Sequence, residues 1–353
     1  MTRLFTCGWE TGDPNESGLL SVNGPGVATV VSSGPTPRAP GAHCLKLMAI
    51  GAVNIANVNW VLPNPLTDVW VRLGVLMHAN PNSENALVSF SDNAGSLQGR
   101  VTWTTSDSLL RAYRSTVFLL GTSALQMSAD QWHTLEVRWQ MTSLTVGTVE
   151  VWLDGAQTLN LVGVDNTQTS ALNIGNVLVG TGAAMLSGGP YYAFDDLAIN
   201  DTNGTVNNGR PGDGRVVLLS PSGAGSSTQL LRGGTDSGAN WSQVDDVPMS
   251  MTDFVYDATA GHRDLYTLQD VPSAASGWSV NTVEALAYAQ TSDVGSMSVA
   301  PTLKTGATTA EGAAQALAIS PQYFRQQYQT NPDTTAGWTV ADLNALEAGV
   351  TVH

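Results

Sequence analysis

Two adjacent acidic residues, Asp195 and Asp196, are the first candidates for chemistry in this chain. They interrupt the aromatic and aliphatic run YYAFDDLAIND, from Tyr191 to Asp201. Such a pair could form a metal site, a catalytic pair or the end of a strand. Successive side chains of a strand point to opposite faces, so simple alternation predicts that the two carboxylates do not act together. One acid is then expected to satisfy backbone or arginine groups, and the other to face solvent or an ion.

The sequence gives little support for other catalytic arrangements. The sequence has no G-x-S-x-G motif, and Cys44 beside His43 would point to the opposite face of a strand. His133, next to Trp132, is of the kind that more often packs at the rim of a strand than acts as a base. The sequence also has no Cys/His set with zinc spacing and no glycine-rich phosphate loop. These observations predict a protein that is not an enzyme and has no cofactor, apart from the calcium ion considered below.

The composition excludes several classes of partner. A formal net charge of −15 repels phosphates, so no binding of nucleic acid is expected. No run approaches the roughly 18 apolar residues of a membrane span, which predicts no membrane insertion. The opening MTRLFTCGWETG lacks the apolar region of a secretory signal, so folding in a cytoplasm is expected. In that reducing compartment, two buried free thiols at Cys7 and Cys44 are favoured over a disulfide.

The elements that would position these residues are mostly β-strands. In DVWVRLGVLMHA, from Asp68 to Ala79, every second residue is apolar, which is typical of a half-buried strand. The segments HTLEVRWQ and GTVEVWLDG alternate in the same way, and the pair Asp154-Gly155 then predicts a tight hairpin turn. Short strands with turn residues between them favour a β-sandwich.

A change of composition predicts two domains. The segment 203–215 is rich in Asn, Gly and Asp and is interpreted as a linker between a domain at 1–202 and a C-terminal β-domain at 216–353. Strands are expected beyond the linker in RVVLLS, DFVYDA, RDLYTL and SVNTVEALAYAQ. The segment TVADLNALEAGV predicts one helix, with Thr339 and Asp342 forming a capping box and Gly349 ending it.

The first domain resembles the concanavalin A-like lectin/glucanase superfamily, specifically its LamG-like jelly rolls. The likeness covers roughly Leu4 to Asp201 and rests on the Trp132-His133 pair, on the hairpin from Val149 to Gly155, and on Asp195-Asp196. The predicted fold class is therefore all-β. It consists of an N-terminal LamG-like jelly-roll β-sandwich and a second C-terminal β-sandwich-like domain with one short helix near the C-terminus.

The resemblance also implies what a site could contain. Domains of this superfamily often bind calcium, which makes Asp195 and Asp196 candidate ligands together with Glu10 or Asp13. Glucanases of the superfamily carry Glu-x-Asp-x-x-Glu on one strand, because alternate residues project both carboxylates into one cleft. That spacing is absent here.

The second domain resembles the C-terminal halves of tailed-bacteriophage proteins whose N-terminal halves are LamG-like. The signals are PGDGRV in the linker and Trp338 before the capped helix. This resemblance implies a non-enzymatic virion structural protein, either a capsid decoration or minor capsid protein or a tail protein. The implied location is the virion, with other virion proteins as partners and a homo-oligomeric state, a trimer being one form. The alternative function is a glycan-binding module that attaches the phage to a host surface glycan.

Overall fold

Strands dominate the computed structural model of the chain, which describes residues 3–17, 20–23, 27–48, 55–78, 84–180, 191–235, 237–293, 295 and 297–353. Across these ranges the only α-helix has five residues, and the predicted all-β class is confirmed. No helix among them combines the length and the apolar character that crossing a bilayer would require. The chain divides into two compact units, Met1–Val216 and Val217–His353.

The first unit is built from β-strands and one short 3-10 helix at Pro14–Ser17. In chain order its strands are β1 (Arg3–Cys7), β2 (Leu20–Asn23), β3 (Val27–Val31), β4 (Cys44–Met48), β5 (Ile55–Leu66), β6 (Asp68–Met77), β7 (Glu84–Ser91), β8 (Leu97–Thr104), β9 (Leu109–Arg114), β10 (Phe118–Gln126), β11 (Trp132–Met141), β12 (Gly147–Leu153), β13 (Ala156–Val164), β14 (Ile174–Val179) and β15 (Tyr191–Asp201).

These strands form two antiparallel sheets. Sheet A has eight strands in the order β13-β12-β11-β6-β15-β4-β3, and β1 also pairs with β15. Sheet B has seven strands in the order β10-β9-β8-β7-β14-β5-β2. Many neighbours are distant in sequence, so long connections carry the chain from one sheet to the other, as in a jelly-roll sandwich.

The core of the first unit lies between the two sheets. The rings of Phe90 in β7 and Trp139 in β11 stack with their centroids 5.3 Å apart, which joins sheet B to sheet A. The inward face predicted for β6 is confirmed, since its residues are at most 1% exposed: Val69, Val71, Leu73, Val75 and Met77. The half-buried character expected for this strand is wrong, because the residues of its other face are buried as well. Cys7 and Cys44 are both buried free thiols, as expected.

Sheet A also confirms the predicted hairpin. Strands β11 and β12 pair in register, with Val137 opposite Val151. Asp154 and Gly155 then form the turn into β13, with φ angles of 50° and 81°. Two successive residues in the left-handed region are what a tight hairpin needs, and the Asp-Gly pair tolerates them.

The second unit contains smaller sheets. Its strands are β16 (Pro221–Thr228), β17 (Leu231–Gly234), β18 (Asp253–Tyr256), β19 (Arg263–Leu268), β20 (Val283–Ala289), β21 (Ser298–Thr305), β22 (Thr308–Glu311), β23 (Gln315–Ala316), β24 (Gln322–Tyr328) and β25 (Glu347–Val352). A six-stranded sheet follows the order β16-β19-β25-β21-β22, with β23 beside β21, while β17–β18 and β20–β24 form two-stranded sheets. Short 3-10 helices lie at Asn240–Gln243 and Ser273–Ala275.

The predicted C-terminal helix is partly right. Helix α1 (Val340–Asn344) begins at the Thr339 cap, and the capping box with Asp342 is confirmed. The expected end at Gly349 is wrong, because that residue pairs with Leu265 inside β25. A Cβ at Gly349 would lie 2.0 Å from the carbonyl oxygen of Asp264, so the glycine allows close strand pairing. The strand expected in RVVLLS is also wrong, since residues 215–220 are in neither a strand nor a helix.

Candidate functional site

The structure places Asp195 and Asp196 together on the outer face of sheet A. Asp195 lies opposite Gly74 of β6 and Ala198 lies opposite Arg72, so β15 contains one extra residue at this point. Asp196 occupies this β-bulge with φ at 54°. A bulge interrupts the alternation of side chains. The expectation that the two acids point to opposite faces is therefore wrong.

Both carboxylates bind the same arginine residue. The backbone N–H of Arg38 donates to Oδ2 of Asp195 at 3.2 Å, and Nη1 of Arg38 donates to Oδ2 of Asp196 at 2.8 Å. The backbone N–H of Val216 donates to Oδ1 of Asp196 at 2.7 Å. Both acids are at most 1% exposed, so the expectation that one of them faces solvent is also wrong.

A third buried acid continues this cluster under the segment 209–216. Glu136 of β11 is fully buried, and its Oε1 accepts from the backbone N–H of Gly212 at 2.6 Å. Burial raises the pKa of Glu136, and the cation of Arg210 opposes that shift. Burial, followed by the charge of Asp196, also raises the pKa of Asp195 well above its ordinary value. The cluster therefore has a structural role: its hydrogen bonds hold the segment 209–216 on sheet A.

Nothing in these contacts supports a metal centre. Across the described ranges, no group of three or more His, Cys, Asp or Glu side chains is arranged to hold an ion. Glu10 accepts from the backbone N–H groups of Ala42 and His43, and Asp13 accepts from the N–H of Asn15. Calcium binding at Asp195 and Asp196 stays a prediction, while the observed contacts give the pair a structural role.

A different surface, the outer face of sheet B, brings polar and aromatic groups together. In β8 and β9 the inward residues are at most 1% exposed, as Val101 and Ala112 illustrate. The alternating residues face outward, and strand pairing sets Arg100 opposite Tyr113 and Thr102 opposite Arg111. We use the name outer strip for six side chains of β7, β8 and β9: Glu84, Arg100, Thr102, Thr104, Arg111 and Tyr113.

Tyr113 is the centre of the outer strip. Burial, followed by the nearby Glu84 carboxylate, raises the pKa of Tyr113. The guanidinium carbon of Arg100 lies 5.5 Å from the centroid of the tyrosine ring, within the range of a cation–π contact. The phenol therefore stays protonated at neutral pH, and its ring packs against the guanidinium of Arg100 with the Glu84 carboxylate nearby.

Hydrogen bonds fix the other side chains of the outer strip. Thr102 donates from Oγ1 to Oε1 of Glu84 at 2.6 Å, and Nη1 of Arg111 donates to Oγ1 of Thr104 at 2.7 Å. Arg100 donates from Nη2 to the carbonyl oxygen of Thr116 at 2.9 Å. Thr102 is 0% exposed and only supports Glu84 from below. The surface therefore offers the hydroxyl groups of Tyr113 and Thr104, the Glu84 carboxylate and two guanidinium groups.

None of the outer strip was singled out from the sequence. The signal was present in GRVTWT and LLRAYR, where Arg, Thr and Tyr alternate with buried apolar residues. Alternation of this kind predicts strands and does not by itself indicate a binding surface.

Comparison with known proteins gives likeness in structure alone. No protein-family model matches the chain, and no curated protein matches it in sequence. An endo-β-1,4-glucuronan lyase from the fungus Trichoderma reesei is similar, with a TM-score of 0.44 and 15% identity over 56% of this chain and 95% of that one. An alginate lyase from Aplysia kurodai has a TM-score of 0.43 and 11% identity over 56% and 99% of the two chains. A carbohydrate esterase of the Shiga toxin-encoding bacteriophage phi24B has a TM-score of 0.41 and 17% identity over 56% and 98%.

Two sequence-based expectations are corrected at this point. The similar solved proteins are named as carbohydrate lyases and a carbohydrate esterase, which contradicts a non-enzymatic virion structural protein and a chain that is not an enzyme. The two antiparallel sheets of the first unit are consistent with the jelly-roll fold that the resemblance implies. At these TM-scores and identities the likeness assigns no reaction and no substrate to this chain.

Proposed function

We propose that the first unit binds carbohydrate and that the outer strip is its binding surface. The observation that carries the proposal is the arrangement of Tyr113 between Glu84 and Arg100 on an outward sheet face. Sugars present hydroxyl groups at their edges and C–H groups on their faces. Aromatic rings pack on such faces, while carboxylates and guanidinium groups bond the edges.

The rigidity of the strip supports this function. Its side chains stand on neighbouring strands and are tied to one another by short hydrogen bonds, such as that of Thr102 to Glu84. Little conformational entropy is then lost when a ligand binds, which matters for ligands that gain only weak contacts per group. Glycan binding is the function that the sequence left as its alternative.

The biological setting remains a proposal of its own. We place the chain on a phage particle as a LamG-like module that attaches to a host surface glycan, and this placement rests on the resemblance of the two sequence segments. Detection of the chain in purified virions by mass spectrometry would support that location. Its absence from virions would remove the phage setting and leave carbohydrate binding to be judged separately.

Binding to a panel of polysaccharides tests the proposed function. The full chain is run in affinity electrophoresis against neutral glucans and against polymers that contain uronic acids, and isothermal titration then measures the affinity. Tyr113→Ala and Arg100→Ala should each weaken binding at least about tenfold, because each removes a group of the strip. Trp278→Ala is the control, since Trp278 is an exposed aromatic residue, 44% exposed, that lies in the second unit.

Two outcomes would contradict the proposal. One is a wild-type chain that binds no polysaccharide of either class at millimolar concentration. The other is a Tyr113→Ala variant that is folded and binds as tightly as the wild type. Preference for uronic acid polymers over neutral ones would assign the arginines of the strip a carboxylate partner.

A further inference from the structure

A serine, a histidine and an aspartate form a hydrogen-bonded chain at one end of sheet A, beside Thr134, whose hydroxyl accepts from Arg38. Nε2 of His133 lies 3.0 Å from Oγ of Ser128, and Nδ1 of His133 lies 2.7 Å from Oδ2 of Asp154. Oδ1 of Asp154 accepts from the backbone N–H of Thr134 at 2.8 Å. The imidazole is therefore held between a hydroxyl and a fixed carboxylate.

Local structure explains why these three residues meet. Ser128 lies in the turn between β10 and β11, and His133 is the second residue of β11. Asp154 lies in the β12–β13 turn, which follows the pairing of β11 with β12. The backbone N–H of Asp154 donates to the carbonyl oxygen of Thr134 at 2.9 Å, so the ladder extends to the residue next to His133.

Burial and exposure suit a nucleophile and its base. His133 is 8% exposed, whereas Ser128 is exposed. Water is thus largely excluded from the imidazole, while the hydroxyl stays open to a substrate. Asp130, two residues after Ser128, has φ at 60°, a conformation that costs energy for a residue other than glycine. Strained backbone next to such a group is frequent at functional sites.

We propose that Ser128, His133 and Asp154 hydrolyse carboxylic esters through a serine nucleophile. With the proton of the neutral imidazole on Nδ1 and directed to Asp154, Nε2 accepts the proton of Ser128 as Oγ attacks the ester carbonyl carbon. The C–O bond to the alcohol then breaks, and the alcohol leaves with the proton from Nε2. Water attacks the acyl-serine with His133 again as base, which releases the carboxylic acid and restores the hydroxyl of Ser128.

The backbone N–H after the serine is the candidate donor for the negative charge that develops on the carbonyl oxygen. The N–H of Ala129, the residue after the nucleophile, donates to no acceptor within the described part of the chain. A free N–H at this position stabilises an oxyanion in other serine hydrolases.

Two further contacts define the alternative to catalysis. Oγ of Ser128 also lies 3.2 Å from Oε1 of Gln131, and Nε2 of His133 lies 3.2 Å from the carbonyl oxygen of Ser128. If the imidazole donates to that carbonyl while the hydroxyl donates to Gln131, the three residues only stabilise the turn. A reaction of Ser128 distinguishes the two arrangements, because a hydroxyl that merely closes a turn is not nucleophilic.

The substrate class is a small O-acyl ester, and an acyl group on a sugar hydroxyl would agree with the proposed carbohydrate binding. The test does not depend on that binding, since p-nitrophenyl acetate contains no sugar. Hydrolysis of this ester without polysaccharide binding would support the esterase proposal and contradict the proposed carbohydrate binding. Polysaccharide binding without hydrolysis would support the binding and contradict the esterase proposal.

The experiment uses the full chain with p-nitrophenyl acetate and with a fluorophosphonate probe. The wild type should hydrolyse the ester faster than buffer and should gain one probe mass, mapped by peptide mass spectrometry to Ser128. Ser128→Ala and His133→Gln should each lower kcat/KM at least about a thousandfold, and Asp154→Asn at least about a hundredfold. Ser106→Ala, which changes another exposed serine, should keep both activity and labelling.

Asp154→Asn guards against loss of structure. An asparagine keeps an oxygen for the N–H of Thr134 but does not stabilise the protonated imidazole. If this variant keeps the wild-type circular dichroism and loses activity, the loss belongs to the reaction. No turnover and no labelling in the folded wild type, or unchanged turnover in Ser128→Ala, would overturn the proposal.

Discussion

Glu10 is a buried carboxyl group with an incomplete set of partners. It is 5% exposed, and its Oε2 accepts from the backbone N–H groups of Ala42 and His43, while Oε1 has no hydrogen-bond partner among the described residues. Burial is the largest cause that raises the pKa of Glu10, to about 8. In the folded chain the group is therefore mostly neutral between pH 4.5 and about 8, where an exposed glutamate is charged.

This shift predicts a pH dependence of stability. The folded state keeps a proton that the unfolded state releases between the ordinary pKa of 4.5 and about 8. The contribution of Glu10 to the free energy of unfolding is then fully present below pH 4.5 and is lost as the pH rises through 8. Glu10→Gln should flatten this fall, because an amide has no proton to release. Urea unfolding at pH 5 and pH 8.5 measures the difference.

Asp195 shifts in the same direction, so part of the wild-type slope should remain in Glu10→Gln. Asp13→Asn removes a neighbouring negative charge without removing the Glu10 carboxyl, and it should keep the wild-type slope. Identical slopes in the wild type and Glu10→Gln would show that Glu10 is ionised in the folded chain.

The ion pair of Arg38 with Asp196 predicts a large effect on stability. Both side chains are buried, at 6% and 1% exposure. Asp196→Asn keeps the shape but leaves the guanidinium with less negative charge, and removing one partner of a buried pair costs about 3 kcal/mol or more. Asp165→Asn breaks the pair of Asp165 with Arg114, which is 41% exposed at the acid, and should cost less than about 1 kcal/mol. Equal urea midpoints for the two variants would contradict the structural role given to Asp196.

At the scale of elements, Gly99 shows how closely the two sheets approach. It lies in β8 of sheet B, and a Cβ there would be 2.0 Å from Cζ2 of Trp139 in sheet A. Gly99→Ala should therefore destabilise the fold by about 1–3 kcal/mol, because the buried indole must move. Gly209→Ala is the control, since a Cβ at that position meets nothing within 4 Å. Thermal unfolding compares the variants, and a wild-type melting temperature for Gly99→Ala would refute this packing.

Sequence alternation predicted the strands that run without interruption and failed where one residue is inserted. The inward residues of β6 are two positions apart throughout, so the predicted face is the observed one. In β15 the residues that pack in the hydrophobic core, Phe194 and Leu197, are three positions apart. That spacing results from the bulge at Asp196. The sequence alone does not show which residues of this strand face the core, so the bulge could not be predicted from it.

The candidate sites depended on tertiary pairing even more strongly. Ser128, His133 and Asp154 come from three chain segments, and the register of β11 with β12 brings the last two together. The outer strip likewise needs the pairing of β7, β8 and β9. His133 was expected only as a rim residue, because its partners lie 5 and 21 positions away in turns.

At the scale of the whole molecule, the second unit exposes large apolar side chains. The two-stranded sheet β17–β18 carries Leu231, Phe254 and Tyr256, which are 56%, 42% and 50% exposed. Isolated two-stranded sheets are marginally stable in water. The homo-oligomer expected from the sequence stays a prediction that this surface supports. Light scattering should give a multiple of the chain mass, which Phe254→Asp should lower; a single-chain mass for the wild type at micromolar concentration would contradict it.

The C-terminal boundary of the first unit predicts where the chain can be truncated without loss of stability. The sequence placed the end of the first domain at residue 202, whereas the compact unit extends to Val216. A chain of residues 1–202 would lose the N–H donors that Gly212 and Val216 give to Glu136 and Asp196, at 2.6 and 2.7 Å. Hydrogen bonds to charged groups contribute about 1.5–3 kcal/mol each. Residues 1–216 should therefore unfold cooperatively in urea with a midpoint clearly above that of residues 1–202, and equal midpoints would mean that the segment 209–216 adds nothing to the stability of sheet A.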